Sequence, residues 1–530
     1  MLTISGEVSA ATFGEIAIQL ASPDPGKRFV AIETLTSSKN PQTAKLMERT
    51  HELKPLDEAM KRSAIARAAV DFVRLELAGG TVEAQAAAPE RSSAILISID
   101  TLRADHLGCY GHERDVSPTI DRLAASGALF VNDLSTSSWT LPAHMSMLTS
   151  LYPSFHKMEK GGRLGSVRLD DSETTLAELL QPAGWATAGI VAHPFLSGKW
   201  GFDAGFDVYR RYTTQAEAQT DRAILWLEWH QFQVNRGLRE PQFFLFLHYL
   251  DPHETYNPPP PYATKFFPDY EGSFTPRDKF VTLFSGEPFP NDDDFRYAVS
   301  LYDGEINYTD AQLGRFFAKL AALGRTDSTL IVLTSDHGEE LKDHGSMGHK
   351  SSLYQEQARV PLILSHPKAI APGRRITASV SAVDIMPTIL DVLGQPPLVK
   401  AQGVSLLPYL QAEPAGAKQL ASRNLFTEMG PLGVQWEGSS HQKAIRNERY
   451  KLIVNYDQPS KQLFDWIDDP LEKTDVYEAR KNTTEVRDLE AQLDGFIRNG
   501  SAYNAAFREK NQIEIDEKTR QRLRALGYME

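Results

Sequence analysis

The sequence has a single cysteine, Cys109, and it lacks the features that mark membrane-spanning or nucleic-acid-binding chains. One cysteine excludes an intrachain disulfide. No run approaches the ~18 consecutive apolar residues of a membrane-spanning helix, so no transmembrane segment is expected. With 56 Lys and Arg against 69 Asp and Glu, the net charge is -13. This acidic balance argues against a protein that binds nucleic acid through its phosphates.

The first residues do not match the pattern of an export signal. Residues 1–5 read MLTIS, without a basic segment followed by an apolar one. We expect a periplasmic or secreted protein if a signal was removed, and a cytoplasmic protein otherwise. A lone cysteine is compatible with both compartments.

Length and composition predict a soluble protein of several domains. The 530 residues are 41% hydrophobic and 24% charged, which allows two to four domains. Residues 1–90 are predicted to be an N-terminal appendage of unknown role. Residues 93–415 are predicted to form an α/β domain. Residues 416–530 are expected to contain a small antiparallel sheet and a terminal helix. The sheet is expected because 449–454 and 462–466 are typical of paired strands.

Three short apolar runs, 94–99, 243–247 and 330–334, are typical of strands buried on both faces of a parallel sheet. The expected fold is therefore α/β, with a large, mostly parallel sheet sandwiched by helices. Asp100 follows the first run, the second leads through Asp251 to His253, and the third leads to Asp336 and His337. Ligands bind beyond the carboxyl ends of such strands, so we expect these side chains to meet at one edge.

Asp100, Asp336 and His337 predict a metal site. Two carboxylates and an imidazole suit Zn²⁺, Mn²⁺ or Fe²⁺ better than Ca²⁺. Three protein ligands leave a position open for the hydroxyl of Thr140, which a metal would acidify into a nucleophile. Pro142 suits the first turn of a helix, so Thr140 is placed at a helix N-terminus, where backbone N–H groups favour an oxyanion.

Each of these residues alone has a simpler explanation. A threonine before a helix is usually an N-cap, and an aspartate at a strand end usually caps a turn. His253 alone is more often structural than catalytic. Glu305 and Asp310 are assigned to a surface helix and not to the metal site. The joint placement of the candidates on one sheet edge favours a functional site.

Several motifs together resemble the sulfatase family of the alkaline phosphatase superfamily. The resemblance runs from about residue 93 to residue 530 and is carried by IDTLRAD (99–105), SSWTLPAH (137–144), TSDHG (334–338), GHK (348–350), RVP (359–361) and RYKLI (449–453). It implies a sulfatase-like catalytic domain over 93–415, with Asp100, Asp336 and His337 as metal ligands and Thr140 in the nucleophile position.

The resemblance also implies residues that handle the anion. His253 and Lys350 match residues that bind the oxygens of the anion or assist the leaving group. His349 is a further catalytic candidate. Weaker candidates are His344, His193 and Lys199.

Four departures from the sulfatase pattern matter. Sulfatases carry a cysteine or serine in place of Thr140 and oxidise it to formylglycine, which a threonine cannot form. They also carry an arginine in place of His144. Many have a second aspartate in place of Thr101 and an asparagine in place of His337, and both changes favour a transition metal. The chain therefore resembles the threonine-nucleophile branch of phosphodiesterases, phosphatases and phospho-group transferases.

The sequence thus predicts a metal-dependent hydrolase of phosphate mono- or diesters, or of phosphonate esters, with Thr140 as nucleophile. Mn²⁺ or Zn²⁺ is favoured over Ca²⁺ or Mg²⁺, and the partner is a small-molecule, lipid or sugar ester. The alternative is a sulfatase that works without formylglycine. A transferase is less favoured because such relatives usually carry membrane helices. A non-catalytic binding protein is disfavoured because the three ligand positions are retained.

Overall fold

The computed structural model describes residues 91–158, 167–212, 215–275, 289, 291–349, 352–411, 423–430, 441–503 and 516–525. The chain divides into two compact units, Met1–Ala87 and Ala88–Glu530. The predicted N-terminal appendage lies outside the described residues. Within the described ranges, no helix is both long and apolar enough to cross a membrane.

The described strands form one large sheet and two small ones. Their bounds are β1 Ser93–Ile99, β2 Ala128–Leu134, β3 Ala186–Val191, β4 Val208–Arg211, β5 Phe243–Tyr249, β6 Thr329–Thr334, β7 Glu340–Leu341, β8 Met347–Gly348, β9 Arg359–Ser365, β10 Arg374–Ser381, β11 Leu425–Met429, β12 Gln442–Arg446, β13 Tyr450–Asn455 and β14 Ser460–Asp465.

The described α-helices range from single turns to a helix of 31 residues. Their bounds are α1 Pro118–Ala125, α2 Thr140–Thr149, α3 Pro153–His156, α4 Leu176–Leu180, α5 Ala216–Asn235, α6 Tyr262–Lys265, α7 Asp292–Ala322, α8 Gln355–Ala358, α9 Ile385–Val392, α10 Leu407–Leu410, α11 Tyr477–Arg480, α12 Thr484–Tyr503 and α13 Glu517–Ala525.

The large sheet has the strand order β10-β2-β9-β6-β1-β5-β3-β4. Its strands are parallel except β9, which runs antiparallel to β2 and β6. The predicted α/β fold with a mostly parallel sheet is therefore confirmed. Ile99 of β1 pairs with Tyr249 of β5, and Ser98 pairs with Thr334 of β6. The carboxyl ends of the three central strands are thus level at one edge.

Helices cover both faces of this sheet. Successive strand side chains point to opposite faces. On one face, Phe244 and Phe246 share a core cluster with Met145 of α2 and Ile389 of α9. On the other face, Phe243 packs against Trp226 of α5, with ring centroids 5.6 Å apart. Burial of strand side chains on both faces explains why the three apolar runs are continuous and not alternating.

The C-terminal sheet is antiparallel, in the order β11-β12-β13-β14, and α12 packs on it. The predicted hairpin corresponds to β13 and β14. The first strand of this sheet also contacts the α/β domain. The Glu428 amide donates to the Thr136 carbonyl at 2.8 Å, and Ser137 Oγ donates to the Glu428 carbonyl at 2.6 Å. The C-terminal sheet therefore holds the segment that leads into Thr140.

Candidate metal and catalytic site

Thr140 is the first residue of α2, and its side chain is fully buried. The N-cap of this helix is Trp139, which has extended backbone angles and makes no side-chain cap hydrogen bond. The N-cap explanation for Thr140 is therefore wrong. The Thr140 hydroxyl lies instead 3.4 Å from His337 Nε2. The first turn of α2 brings the hydroxyl and the positive end of the helix to the same place.

Asp100 and Asp336 follow β1 and β6, the two central strands, and both are fully buried. The Asp100 amide donates to the Tyr249 carbonyl at 3.0 Å, which fixes Asp100 at the strand end. Asp336 Oδ1 accepts from the amides of Thr101 and His337, at 3.3 Å and 3.0 Å. These backbone contacts orient the second oxygen, Asp336 Oδ2, toward His337 and Asp100.

His337 presents its Nε2 to both carboxylates. Its Nδ1 lies 2.9 Å from the Gly338 carbonyl, and because a carbonyl only accepts, Nδ1 carries the proton. In the neutral ring the Nε2 lone pair then lies 3.3 Å from Asp336 Oδ2 and 3.8 Å from Asp100 Oδ1. A lone pair directed at two carboxylates is repulsive unless a cation lies between them.

The donor set fits a divalent cation. The ligand atoms of Asp100, Asp336 and His337 lie within 4.8 Å of one another. Asp336 Oδ2 is buried and accepts no hydrogen bond from the described residues. Buried charged oxygens are costly without a partner, and a metal supplies one. The hydrogen bond from His337 Nδ1 to a carbonyl is the outer contact that usually orients a metal-binding histidine.

Two further histidines lie behind the carboxylates and remain neutral. His144 Nδ1 donates to the Thr140 carbonyl at 2.9 Å, and its Nε2 lies 2.8 Å from Ser98 Oγ. His248 Nε2 lies 3.4 Å from Asp100 Oδ2. Burial lowers the pKa of both side chains below the usual value. His144 therefore does not replace the fixed positive charge of the arginine that the sulfatase pattern has at this position.

The structure places His253 and His349 beside the candidate metal ligands. The His349 ring is 4.5 Å from the His337 ring and 5.0 Å from the His253 ring, centroid to centroid. His253 Nδ1 donates to the Glu254 carbonyl at 2.9 Å. His349 Nδ1 lies 2.9 Å from Glu339 Oε1, and both side chains are fully buried. In both rings, Nδ1 is therefore the nitrogen engaged by these contacts.

Other candidates have structural roles or lie outside the described residues. Asp251 Oδ2 accepts from the Ala216 amide at 2.7 Å and caps α5, while burial raises the pKa of Asp251 to about 6. His344 is held between Glu356 Oε1 and the Glu472 carbonyl, at 2.8 Å and 2.9 Å. Lys350 lies outside the described residues, so its role stays a prediction.

Sequence reasoning assigned no role to His248 or Glu339. The signal for Glu339 was present, because it directly follows the Asp336-His337-Gly338 motif. His248 lies one residue before the end of β5, where side chains approach the site edge. Its role depends on the register of β5 with β1, which the sequence pattern does not specify.

Comparisons with known proteins agree with this fold. The family model described as Sulfatase matches residues 92–395, more than half of the chain. The model described as N-sulphoglucosamine sulphohydrolase, C-terminal, matches residues 343–499. The chain therefore belongs to the sulfatase family, whose members are metal-dependent hydrolases of sulfate or phosphate esters.

Similar curated proteins include sulfatases and a multifunctional enzyme. N-acetylglucosamine-6-O-sulfatase of Bacteroides thetaiotaomicron is 25% identical over 481 residues, covering 73% of this chain and 83% of the relative. Multifunctional alkaline phosphatase superfamily protein PehA of Trinickia caryophylli is 26% identical over 452 residues, covering 68% of this chain and 87% of the relative.

Two solved structures share the fold. The first is a protein solved in complex with its substrate, D-glucosamine-2-N,6-O-disulfate. The TM-score is 0.65 at 21% identity, and the match covers 79% of this chain and 100% of the other. The other is the phosphonate monoester hydrolase of Agrobacterium radiobacter, with a TM-score of 0.60 at 23% identity, covering 80% of this chain and 100% of the other.

Proposed function

We propose that this chain is a metal-dependent ester hydrolase in which Thr140 is the nucleophile. The observation that carries the proposal is the position of the Thr140 hydroxyl, 3.4 Å from His337 Nε2 and at the first residue of α2. It shares a buried cluster with Asp100 and Asp336, so a hydroxyl, a helix N-terminus and three metal-ligand candidates meet at one point.

The bound cation would be held by Asp100, Asp336, His337 and Thr140. The imidazole nitrogen favours Mn²⁺ or Zn²⁺ over Ca²⁺ or Mg²⁺, which prefer oxygen ligands. Such a cation lowers the pKa of a hydroxyl bound to it and stabilises negative charge on the transferred group. The lowered pKa would allow the Thr140 hydroxyl to lose its proton and form an alkoxide near neutral pH.

The first step forms a bond between Thr140 Oγ1 and the phosphorus or sulfur of the ester, while the bond to the leaving oxygen breaks. His253 in its protonated form donates from Nε2 to that leaving oxygen, since its Nδ1 is engaged with the Glu254 carbonyl. The predicted role of Lys350 is to neutralise charge on the transferred group. The product of this step is a covalent ester on Thr140.

The second step needs an activated water, because a threonine ester cannot eliminate its sulfate or phosphate as a formylglycine hemiacetal does. His349 is the better placed base of the two histidines. Its Nδ1 is backed by the Glu339 carboxylate, whereas His253 is backed only by a carbonyl. A carboxylate stabilises the imidazolium that forms when Nε2 takes a proton from water. The water oxygen then bonds to the phosphorus or sulfur, the bond to Thr140 Oγ1 breaks, and Thr140 is released as its alkoxide.

The residues and the relatives favour different esters. Thr140 and neutral His144 support a phosphorus ester, because both depart from the formylglycine chemistry of sulfatases. The second candidate is a sulfate ester of a sugar, and the comparisons support it more strongly than the first. Both matched family models and the Bacteroides relative are described as sulfatases or sulphohydrolases.

A substrate panel tests the proposal. Nitrophenyl phosphate, its diester, a nitrophenyl phosphonate ester and nitrophenyl sulfate would be assayed with Mn²⁺ or Zn²⁺ and after removal of the metal by a chelator. We expect metal-dependent turnover of at least one ester. If Thr140 determines which ester is preferred, a phosphorus ester should be hydrolysed faster than the sulfate. Faster turnover of the sulfate would establish the second candidate. Turnover that survives complete metal removal would contradict both.

A further inference from the structure

A group of cations lies beside the metal site, on the β4 side of the sheet. Arg211 is the last residue of β4 and pairs with Val191, the last residue of β3. Two residues after Val191, the ring of His193 lies 5.5 Å from the ring of His253. The backbone of Arg211 therefore lies at the sheet edge that carries the site.

Lys199 and Arg522 join Arg211 in this group, which we call the basic cluster. Lys199 Nζ pairs with Asp516 and donates to Thr519 Oγ1 at 3.3 Å. Arg522 follows Thr519 by three residues on α13, so the two side chains share a face of the helix. Burial lowers the pKa of Lys199, and the neighbouring cation Arg211 lowers this pKa further. Burial likewise lowers the pKa of Arg211, and the neighbouring Arg522 lowers it further.

The basic cluster contains a donor that lacks an acceptor. Arg211 Nη1 is buried and has no hydrogen-bond partner in the part of the chain that the structure describes. Asp516 pairs with Lys199. The cluster of cations lies in a chain of net charge -13. A buried N–H group without an acceptor costs free energy, so the arrangement indicates an anionic ligand.

Aromatic contacts connect the basic cluster to the nucleophile. Trp139, directly before Thr140, packs on Phe195 with ring centroids 5.6 Å apart. Phe195 packs in turn on Trp200 at 5.4 Å, and Trp200 is adjacent to Lys199. These buried rings fix the segment before Thr140 relative to the residue next to Lys199. In the sheet, β4 is three strand spacings from β1, roughly 14 Å. A substrate built on one or two sugar rings, or on a scaffold of similar size, would span this distance.

We propose that Lys199, Arg211 and Arg522 bind a second anionic group of the substrate, a sulfate, phosphate or carboxylate on the alcohol portion of the ester. The proposal rests on the proposed function and narrows its substrate class to esters that carry at least two anionic groups. A guanidinium group suits this task because its planar N–H donors match two oxygens of such an anion at once.

A matched pair of sugar esters tests the basic cluster. Release of phosphate would be measured with glucose 6-phosphate and glucose 1,6-bisphosphate, or release of sulfate with glucose 6-sulfate and glucose 3,6-disulfate if the panel finds a sulfatase. The wild type should have the lower KM for the doubly charged ester. Arg211→Gln should raise that KM about 10- to 100-fold, the value of one charge-assisted hydrogen bond, and should change the KM of the singly charged ester far less.

Arg210→Gln is the matched control, because neighbouring strand residues point to opposite faces and Arg210 Nη1 donates to the Tyr209 carbonyl. It should leave both KM values unchanged. Equal effects of Arg211→Gln on the two esters, or no preference in the wild type, would overturn the proposal. If neither these sugar esters nor any ester of the nitrophenyl panel is hydrolysed, the proposed function fails. Calorimetric binding of the same two sugars to metal-loaded wild type and Arg211→Gln would then still decide whether the basic cluster binds a second anion.

Discussion

Thr140 and His337 are 197 positions apart in the chain, yet their side chains meet at the centre of the site. The positions of Asp100 and Asp336 were predictable because each follows an apolar run, and parallel strands end at one edge. The protonation of His337 was not predictable. It depends on a carbonyl acceptor at 2.9 Å, which only the folded backbone provides.

The Asp336 carboxylate is expected to be needed for metal binding. Asp336→Asn removes the charge of a buried oxygen that has no hydrogen-bond donor among the described residues. We expect metal affinity to fall at least about 100-fold, and the thermal stabilisation by added Zn²⁺ or Mn²⁺ to disappear. Elemental analysis after dialysis measures the loss. Asp171→Asn, whose side chain is 88% exposed, is the control and should retain the metal. Normal metal content in Asp336→Asn would contradict the ligand assignment.

The second residue-level prediction separates the two chemical steps. Glu339→Gln removes the carboxylate behind His349, so the base for the second step weakens while Thr140 is untouched. We expect kcat to fall about 10- to 100-fold. The covalent ester should then accumulate and give a pre-steady-state burst of the leaving group. Glu478→Gln, with an 80% exposed side chain, is the control. A variant with unchanged kcat would show that Glu339 does not assist the reaction.

At the scale of elements, the long helix α7 differs from the expectation. The sequence placed Glu305 and Asp310 on a surface helix, and the helix is present, but both side chains are buried. Asp310 accepts from the amides of Thr119 and Ile120, at 3.0 Å and 2.8 Å. It therefore caps α1, whose own N-cap residue makes no side-chain cap bond. Such a cap from a distant helix leaves no local sequence signal.

The cap gives an element-level prediction. Asp310→Ala leaves two buried backbone amides of α1 without their acceptor. We expect a loss of about 2 kcal/mol in the free energy of unfolding, within the range known for helix caps. Urea denaturation followed by circular dichroism measures it, with Asp171→Asn as the neutral control. A change below about 0.5 kcal/mol, the range of ordinary surface substitutions, would contradict the capping role.

At the scale of the whole molecule, the C-terminal sheet holds the segment that leads into the candidate site. Its predicted hairpin is present, but no sequence pattern indicates that β11 bonds to the segment before Thr140. That contact joins residues almost 300 positions apart, and Thr427 Oγ1 adds a bond to the Ser135 carbonyl at 2.9 Å. Hydrogen-bond partners at such separations depend on how whole layers pack, which local patterns do not encode.

The folded protein is expected to lose stability in acid because of the buried side chain of His156. His156 is buried beside Ser146, with Nε2 3.1 Å from Ser146 Oγ, and burial lowers the pKa of His156 to about 3. In the unfolded chain, the His156 side chain has an ordinary pKa near 6.5. Between pH 6.5 and 3, His156 therefore binds a proton in the unfolded chain but not in the folded chain. The stability that neutral His156 contributes is present above pH 6.5 and is lost as pH falls toward 3.

His156→Asn should remove this part of the acid sensitivity, because its side-chain oxygen can still accept from the Met158 amide. Below pH 6, the free energy of unfolding of the wild type should fall more steeply than that of the variant, by up to about 1.4 kcal/mol per pH unit. Urea unfolding at pH 7, 6 and 5 measures the difference. Parallel curves for the two proteins would contradict the buried neutral state of His156.

The nucleophilic role of Thr140 is tested most directly by the turnover of Thr140→Ala at matched metal content. Asp100, Asp336 and His337 remain in this variant, so it should still bind metal. We predict that turnover falls at least about 1,000-fold. Thr140→Ser keeps a hydroxyl and should retain measurable turnover. Wild-type turnover in a metal-loaded Thr140→Ala protein would contradict the account, because the ester would then be attacked by a group other than Thr140.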